Sequence, residues 1–310
     1  MNNLISVIIP SYNVASFVCD AVRSALEQTF SPIEVLVIDD SSTDNTREAL
    51  EQYRDRIRYH CLEHAGIVRA RNTGIRLASG TLLAFLDADD VWLPNKLSKQ
   101  YDCLVQQPEI GVVHANILHW NMVTGEKISK EAGRDRFTGD CYTQLLSENR
   151  VSASSVLVRR ECFDKAGWFD ERFERDGDWE MWSRIARHYR FAYVPEPLVI
   201  YRSHNANLTD NTVKVNESKL IPFIKALKSD PQLIEHFGMS FTNNKLTWLN
   251  NDICYNLLDI VDIGRARYCF GQMLVLYQRQ AFRIFPYFAY CLLPDKIAKY
   301  LQRMKQRYLP

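Results

Sequence analysis

Two hydrophobic periods alternate along the first 120 residues. Leu4–Ile9 is an apolar run ended by Pro10. Glu34–Ile38 repeats the pattern and ends at Asp39-Asp40, and Ile57–Leu62 is a weaker third run. Thr81–Leu86 is a fourth, ending at Asp87, and Gly111–Leu118 a fifth. Short apolar runs rich in β-branched residues, with no polar face, are expected of parallel strands covered on both sides. Between them the apolar positions recur at helical spacing. Ala15–Thr29 lines up Phe17, Val18, Ala21, Val22, Ala25 and Leu26; Thr43–Arg54 opens at Ser42 or Thr43 as a candidate N-cap; Ala65–Ala78 ends before Gly80; Pro94–Gln107 follows the fourth strand. Strand–helix alternation of this kind predicts a doubly wound α/β sheet.

From about Ser152 the pattern changes. Ser155–Arg159 reads as a short strand, Glu161–Ala166 as a helical turn and Asp178–His188 as a helix. Phe191–Tyr201 reads as an extended segment broken by Pro195 and Pro197. Beyond about Val213 the pattern is mostly helical. The expected division is a catalytic domain over residues 1–215 and a helical C-terminal region over 216–310.

Composition changes this picture little. The 310 residues are 46% hydrophobic and 24% charged, enough apolar material for a core and no sign of wholesale disorder. The net charge of +1 gives no reason to expect a nucleic-acid partner. Its distribution is more informative: residues 221–310 carry 12 Lys+Arg against 6 Asp+Glu, leaving 26 against 31 in the first 220. From Arg279 to Pro310 aromatic and apolar residues, Tyr287 to Leu293, are followed by Lys296, Lys299, Arg303, Lys305 and Arg307 at helical spacings. A basic amphipathic helix of this kind docks on an anionic membrane surface, packs on the catalytic domain with its charges solvated, or mediates homo-oligomers. The eight cysteines are scattered, with no C-x-x-C pair, which reads as reduced core residues in a cytosolic protein. The N-terminus lacks a basic leader region, and its apolar run breaks at Pro10, so no signal peptide is expected. No stretch reaches the ~18 apolar residues of a transmembrane helix. The expected location is cytoplasmic, or peripheral on the inner face of the cell membrane.

The chemistry is concentrated where strands end. In an open parallel sheet, ligands bind outside the carboxyl ends of the strands. Two strands here end in acid: Asp39-Asp40 and Asp87-Ala88-Asp89-Asp90. Carboxylates gathered at neighbouring strand ends repel one another unless a cation offsets them, and hard oxygen ligands suit Mg²⁺ or Mn²⁺. Asp39 is equally well read as a turn or cap residue. There is no G-x-G-x-x-G and no G-x-x-x-x-G-K-[ST], so no glycine-rich loop cradles a phosphate. A phosphate-bearing ligand would rest on metal and basic side chains instead, with Arg71 the stronger candidate and Arg69 equally well a solvated helix position.

Taken together, the chain resembles the inverting, family 2 glycosyltransferases of GT-A fold. The resemblance rests on Ser6-Val-Ile-Ile-Pro-Ser-Tyr-Asn13, Glu34-Val-Leu-Val-Ile-Asp-Asp-Ser-Ser-Thr-Asp44 and Ala70-Arg-Asn-Thr-Gly74. It continues in Gly80-Thr-Leu-Leu-Ala-Phe-Leu-Asp-Ala-Asp-Asp-Val-Trp92, Ala166-Gly-Trp-Phe-Asp-Glu171, Asp178-Trp-Glu-Met-Trp182 and Tyr201-Arg-Ser-His204. It implies a Rossmann-like mixed sheet with helices on both faces. It also implies transfer of a sugar from a nucleotide-diphosphate donor, a UDP-sugar, to a saccharide or lipid-linked saccharide acceptor in cell-surface polysaccharide or glycolipid assembly.

By position, the resemblance assigns Pro10, Tyr12 and Asp40 to the base, with Arg71, Asp87 and Asp89 completing the nucleotide-sugar site. Asp89, Asp90 and His204 are the implied holders of Mn²⁺ or Mg²⁺, His204 being equally well a structural residue. Asp178 matches the general base, although the Glu that usually precedes it is Gly177 here. Asp178 also reads as an N-cap, and Asp176 and Glu180 are the alternative bases. Trp179 and Glu180 are acceptor-side candidates; for Trp179, as for Trp182, core packing is the default. Competing classes are a metal-dependent nucleotidyltransferase, which normally has a Gly-rich basic loop where Pro10-Ser-Tyr-Asn13 stands, and a receiver-like, non-enzymatic nucleotide- or Mg²⁺-binding domain, which leaves residues 150–210 unexplained.

Overall fold

The computed structural model describes residues 3–129, 137–171 and 177–204. The chain divides into two units, Met1–Asn207 and Leu208–Pro310, and every described residue lies in the first. The C-terminal region expected to be helical, the basic segment 279–310, Asp176 and residues 130–136 lie outside the described residues.

The elements run β1 (Ile5–Ser11), α1 (Val18–Leu26), β2 (Ile33–Asp39), α2 (Thr46–Leu50), β3 (Arg58–Cys61), α3 (Ile67–Leu77), β4 (Leu82–Phe85), β5 (Val91–Trp92), α4 (Lys96–Gln106) and β6 (Ile110–Asn121). They continue with β7 (Lys127–Ser129), α5 (Tyr142–Ser147), β8 (Val156–Arg159), α6 (Arg160–Ala166), α7 (Gly177–Ala186) and β9 (Arg190–Ser203). One sheet has the order β3-β2-β1-β4-β8-β6-β9-β5, with β7 added to β6.

The first four strands in that order are parallel. The fifth apolar run, β6, points the same way as these four but is separated from them by one strand. β8 lies between β4 and β6 and is antiparallel to both, while β6 and β9 are parallel. Burial also explains the apolar run of β8, but it does not set that strand's direction. Pro195 and Pro197 do not break the extended segment either. They fall where the β6–β9 register shifts, and the Asn116 side-chain amide donates to the Pro195 carbonyl there at 3.1 Å. α2 starts three residues later than predicted, because Asp44 rather than Ser42 or Thr43 accepts the Thr46 N–H at 3.0 Å.

Strand alternation divides the core into two. Ile5, Val7 and Ile9 meet Val18, Ala21, Val22 and Ala25 of α1, Leu50 of α2 and Leu97 and Leu104 of α4. Ile8, Leu36 and Ile38 meet Val68, Ala70 and Ile75 of α3, Phe163 of α6 and Trp182 and Ile185 of α7. α3 lies so close to β1 that a Cβ on Gly74 would come within 2.3 Å of Ile8 Cγ2. Of the cysteines described, Cys141 and Cys162 are buried and all are free, but Cys61 is exposed on β3, not in the core.

Candidate active site

The parallel strands β1, β2 and β4 end on the same edge of the sheet, and the residues singled out by sequence follow those ends. Pro10 is buried in the last turn of β1. Tyr12, just beyond, is 45% exposed and packs on His64 with ring centroids 4.6 Å apart. Asp40 is buried, and its two oxygens accept the Ala65 and Gly66 N–H groups at 2.8 Å each. His64 Nδ1 is 2.9 Å from Asp40 Oδ2. Asp40 thus fixes the turn that places His64 against Tyr12. His64 escaped sequence reading, since nothing local marks it.

The loops after β1 and β2 brace each other. Asn13 and Ser41 have positive φ, 51° and 67°. Asn13 N–H donates to Ser42 Oγ at 2.9 Å, Ala15 N–H to Asp44 Oδ2 at 3.0 Å, and Thr43 N–H to Asn13 Oδ1 at 2.7 Å. Asp39 is used internally: it accepts the Ser42 N–H at 2.8 Å and the Tyr59 hydroxyl at 2.5 Å. Burial and this bond push the Tyr59 phenol upward.

The Asp87–Asp90 loop is the centre of charge. Arg71, buried on α3, donates to Asp87 Oδ1 at 2.7 Å, whereas Arg69 is exposed on the other side of that helix. Asp89 Oδ2 lies 3.3 Å from His204 Nε2. Burial, then the Asp87 charge, raise the Asp89 carboxyl above the usual range, and His204 offsets part of this. Asp90 is buried and is pushed well up by its burial, then by Asp89 and Asp87.

Two further residues hold this loop: Ser154, which the sequence left unassigned, and Arg202, which it marked as part of the Tyr201-Arg-Ser-His204 run. The Ser154 hydroxyl accepts the Asp87 N–H at 3.1 Å and hydrogen-bonds the Asp90 carboxylate. Arg202, buried at the end of β9, donates from its guanidinium to the Asp89 carbonyl and to Asp20 Oδ2, the latter at 2.9 Å. Its backbone N–H reaches Asp90 Oδ1 at 3.3 Å. Phe17 carries both ends of this clamp, with the Arg202 guanidinium 5.0 Å over its ring and the His204 ring stacked at 4.4 Å.

Among the described residues, no three His, Cys, Asp or Glu side chains are gathered as a ready metal cage. The donors nevertheless fit a hard divalent cation. Asp89 and His204 offer oxygen and nitrogen side by side, and the crowded charge of Asp87, Asp89 and Asp90 is what such a cation offsets.

On the other side, α7 begins next to Asp178, which is half-buried, its Oδ1 accepting the Trp179 N–H at 2.8 Å. Glu180 is buried and gripped by Arg184 through contacts of 2.8 to 3.0 Å. Trp179 is buried with its indole N–H on the Leu145 carbonyl, and Trp182 is fully buried. Trp179 and Glu180, the acceptor-side candidates, both make internal contacts that brace α7, through Leu145 and Arg184. Of the described base candidates, Asp178 is the one with partial access to solvent.

The sequence model of glycosyl transferase family 2 matches residues 6–167. This chain belongs to that family. An Escherichia coli relative, UDP-Glc:alpha-D-GlcNAc-diphosphoundecaprenol beta-1,3-glucosyltransferase WfgD, is 30% identical over 217 residues, 68% of this chain and 81% of the relative. Among solved structures, S. aureus TarS 1–349 in complex with UDP-GlcNAc is similar with a TM-score of 0.60 at 18% identity, over 90% of this chain and 91% of that one. The mannosyltransferase PcManGT from Pyrobaculum calidifontis, in complex with GDP-Man and Mn²⁺, gives 0.59 at 17% identity, over 99% and 87%. At these identities the likeness concerns the fold, and the fold of this glycosyltransferase is GT-A: a mixed sheet with helices on both faces.

Proposed function

We propose that this glycosyltransferase moves a sugar, with inversion, from a UDP-sugar to a hydroxyl of a saccharide or lipid-linked saccharide, in cell-surface polysaccharide or glycolipid assembly. The observation that carries the reading is the Asp89–His204 pair beside Asp87, held at the strand ends by Arg71, Ser154 and Arg202. Carboxylates crowded in this way, with no Gly-rich loop in the sequence, suit a cation-bound diphosphate.

In this reading Tyr12 packs on the base and Pro10 shapes the wall beneath it. Asp40 accepts a ring N–H with the lone pair left over from its contacts with Ala65, Gly66 and His64. Asp89 and His204, with Asp90 behind them, would hold Mn²⁺ or Mg²⁺, which would supply Lewis-acid stabilisation of the diphosphate. Arg71 orients Asp87 toward the donor. Asp178 takes the proton from the acceptor hydroxyl at its carboxylate oxygen, on the face opposite the leaving group. The E. coli relative's lipid-linked substrate, the TarS complex with UDP-GlcNAc and the PcManGT complex with Mn²⁺ support the substrate class and the cation. No helix among the described residues is long and apolar enough to cross a membrane. Contact with a lipid-linked acceptor is assigned in this reading to the aromatic and basic segment 279–310, acting peripherally on the cytoplasmic face.

The test is a panel of nucleotide-sugars with Mn²⁺, reading nucleoside diphosphate release, beside calorimetric binding of UDP with and without Mn²⁺. Metal-dependent UDP binding and turnover of one UDP-sugar are expected. Absence of binding by any nucleoside diphosphate overturns the reading.

A further inference from the structure

The neighbours Arg71 and Asn72 on α3 act in opposite directions. Arg71 holds Asp87 at 2.7 Å. Asn72, 3% exposed, reaches across 97 residues to the segment that precedes α7. Its Nδ2 donates to the Phe169 carbonyl at 2.9 Å and to Glu171 Oε1 at 3.1 Å, while its Oδ1 accepts the Phe169 N–H at 3.1 Å. Only one amide orientation satisfies both backbone groups of Phe169.

The same segment is gripped from the other side by α7. Arg184 donates to the Ala166 and Trp168 carbonyls, the latter at 2.7 Å. The Phe169 ring completes the connection. It meets Phe85, two residues before Asp87, edge-on at 5.5 Å, and Trp182, one turn after Asp178, at 5.8 Å. The Arg71 guanidinium lies 5.9 Å over it. Residues 166–169 therefore form a packed, hydrogen-bonded spacer between α3, whose Arg71 holds Asp87, and α7, which carries Asp178 in its first turn.

Resting on the transferase reading above, we propose that Asn72 is a positioning residue: through Phe169 it sets Asp178 against the Asp87–Asp89 loop. Catalysis is sensitive to such spacing, since a shift of about 1 Å at the reacting groups costs on the order of 10²-fold in rate. Asn72 touches neither the donor nor the acceptor in this account, so its loss acts on turnover and spares donor binding.

The experiment compares the wild type with Asn72→Ala, Asp178→Asn and the double variant, with Mn²⁺ present throughout. For Asn72→Ala, UDP affinity within about twofold of wild type is expected, with kcat about tenfold or more lower and donor KM unchanged. The double variant is expected to be no slower than Asp178→Asn alone, because Asn72 acts through Asp178. Equal losses of UDP affinity and kcat, or multiplying losses in the double variant, overturn the proposal. If Asn72→Ala does not fold, Asn72→Ser takes its place under the same criteria; it adds no charge at this buried position and is too short to hold both backbone groups of Phe169. Failure of the wild type to turn over any nucleotide-sugar sinks the transferase reading and not the spacer, which is then read from amide exchange. Faster exchange across Gly177–Ala186 in the variant, with Leu82–Phe85 unchanged, supports it; unchanged exchange in both overturns it.

Discussion

Asp89 carries a charge that its surroundings resist, because it is partly desolvated and lies near Asp87. Replacing it by Asn removes that repulsion without changing shape, so folding stability is expected to hold. With Mn²⁺, UDP affinity is expected to fall by about tenfold or more and transfer to disappear. Calorimetry beside a thermal melt checks this, and a folded Asp89→Asn protein that keeps most of its metal-dependent activity contradicts the assignment. Asp178 and Glu180 are two residues apart and separate cleanly. Asp178→Asn is expected to lower kcat by ~10²-fold with UDP affinity unchanged, as expected for loss of a proton acceptor alone. Glu180→Gln weakens the grip of Arg184 on α7 and is expected to act through stability, lowering the melting temperature. Steady-state kinetics with a melt on each variant distinguishes the two, and a crippled kcat in a fully stable Glu180→Gln protein moves the base to Glu180.

At the scale of elements, the contact between α3 and β1 positions both Arg71 and Asn72. Gly74 is there because of space: a methyl group at this position runs into Ile8, which is fully buried. Gly74→Ala gains up to ~1 kcal/mol of helix propensity but overpacks the core, at a cost of about 1–3 kcal/mol. Net destabilisation is expected, and because Ile8→Ala removes the nearest opposing atoms, the double variant is expected to cost less than the two single changes added together. Urea unfolding of the two single variants and the double checks this; strict additivity means that α3 relaxes away from β1 instead. The strands and helices of the first 120 residues were legible because their apolar periods differ. The insertion of β8 between β4 and β6 was not, since a four-residue strand buried on both faces looks alike in either direction.

Over the whole molecule, buried titratable groups tie stability to pH. His114 on β6 is buried with Nε2 2.8 Å from the Phe137 carbonyl, and burial pushes it down from 6.5 to about 4. The folded chain keeps this imidazole neutral, whereas the unfolded chain takes up a proton below about 6.5. Its contribution is therefore fully present above that pH and is lost as pH falls toward about 4, by about 1.4 kcal/mol per pH unit. His114→Gln keeps an N–H donor for Phe137 and is expected to flatten that part of the profile in chemical unfolding; an unchanged slope assigns it to the carboxylates. The basic segment 279–310 is tested by co-sedimentation with anionic vesicles, comparing the full chain with one ending near Gln278. Salt-sensitive binding by the full chain alone is expected, and equal binding by both removes the membrane role.

The sequence by itself determined the strand–helix alternation, the acid clusters at two strand ends and the family. Asp40, Arg71, Asp87 and Asp89 were legible because each lies in a run where neighbours in sequence are neighbours in space. Tertiary structure decided the rest. Only the fold brings Arg202 beside the Asp89 carbonyl, Ser154 beneath Asp87, His64 onto Tyr12 and Asn72 onto Phe169. It also pairs the Trp179 indole with Leu145 and the Glu180 carboxylate with Arg184. The reason is physical: hydrophobic period reports which face of an element is buried, and a motif reports local spacing. A hydrogen bond between residues about a hundred positions apart is encoded in neither, and exists only once both elements have packed on the same sheet.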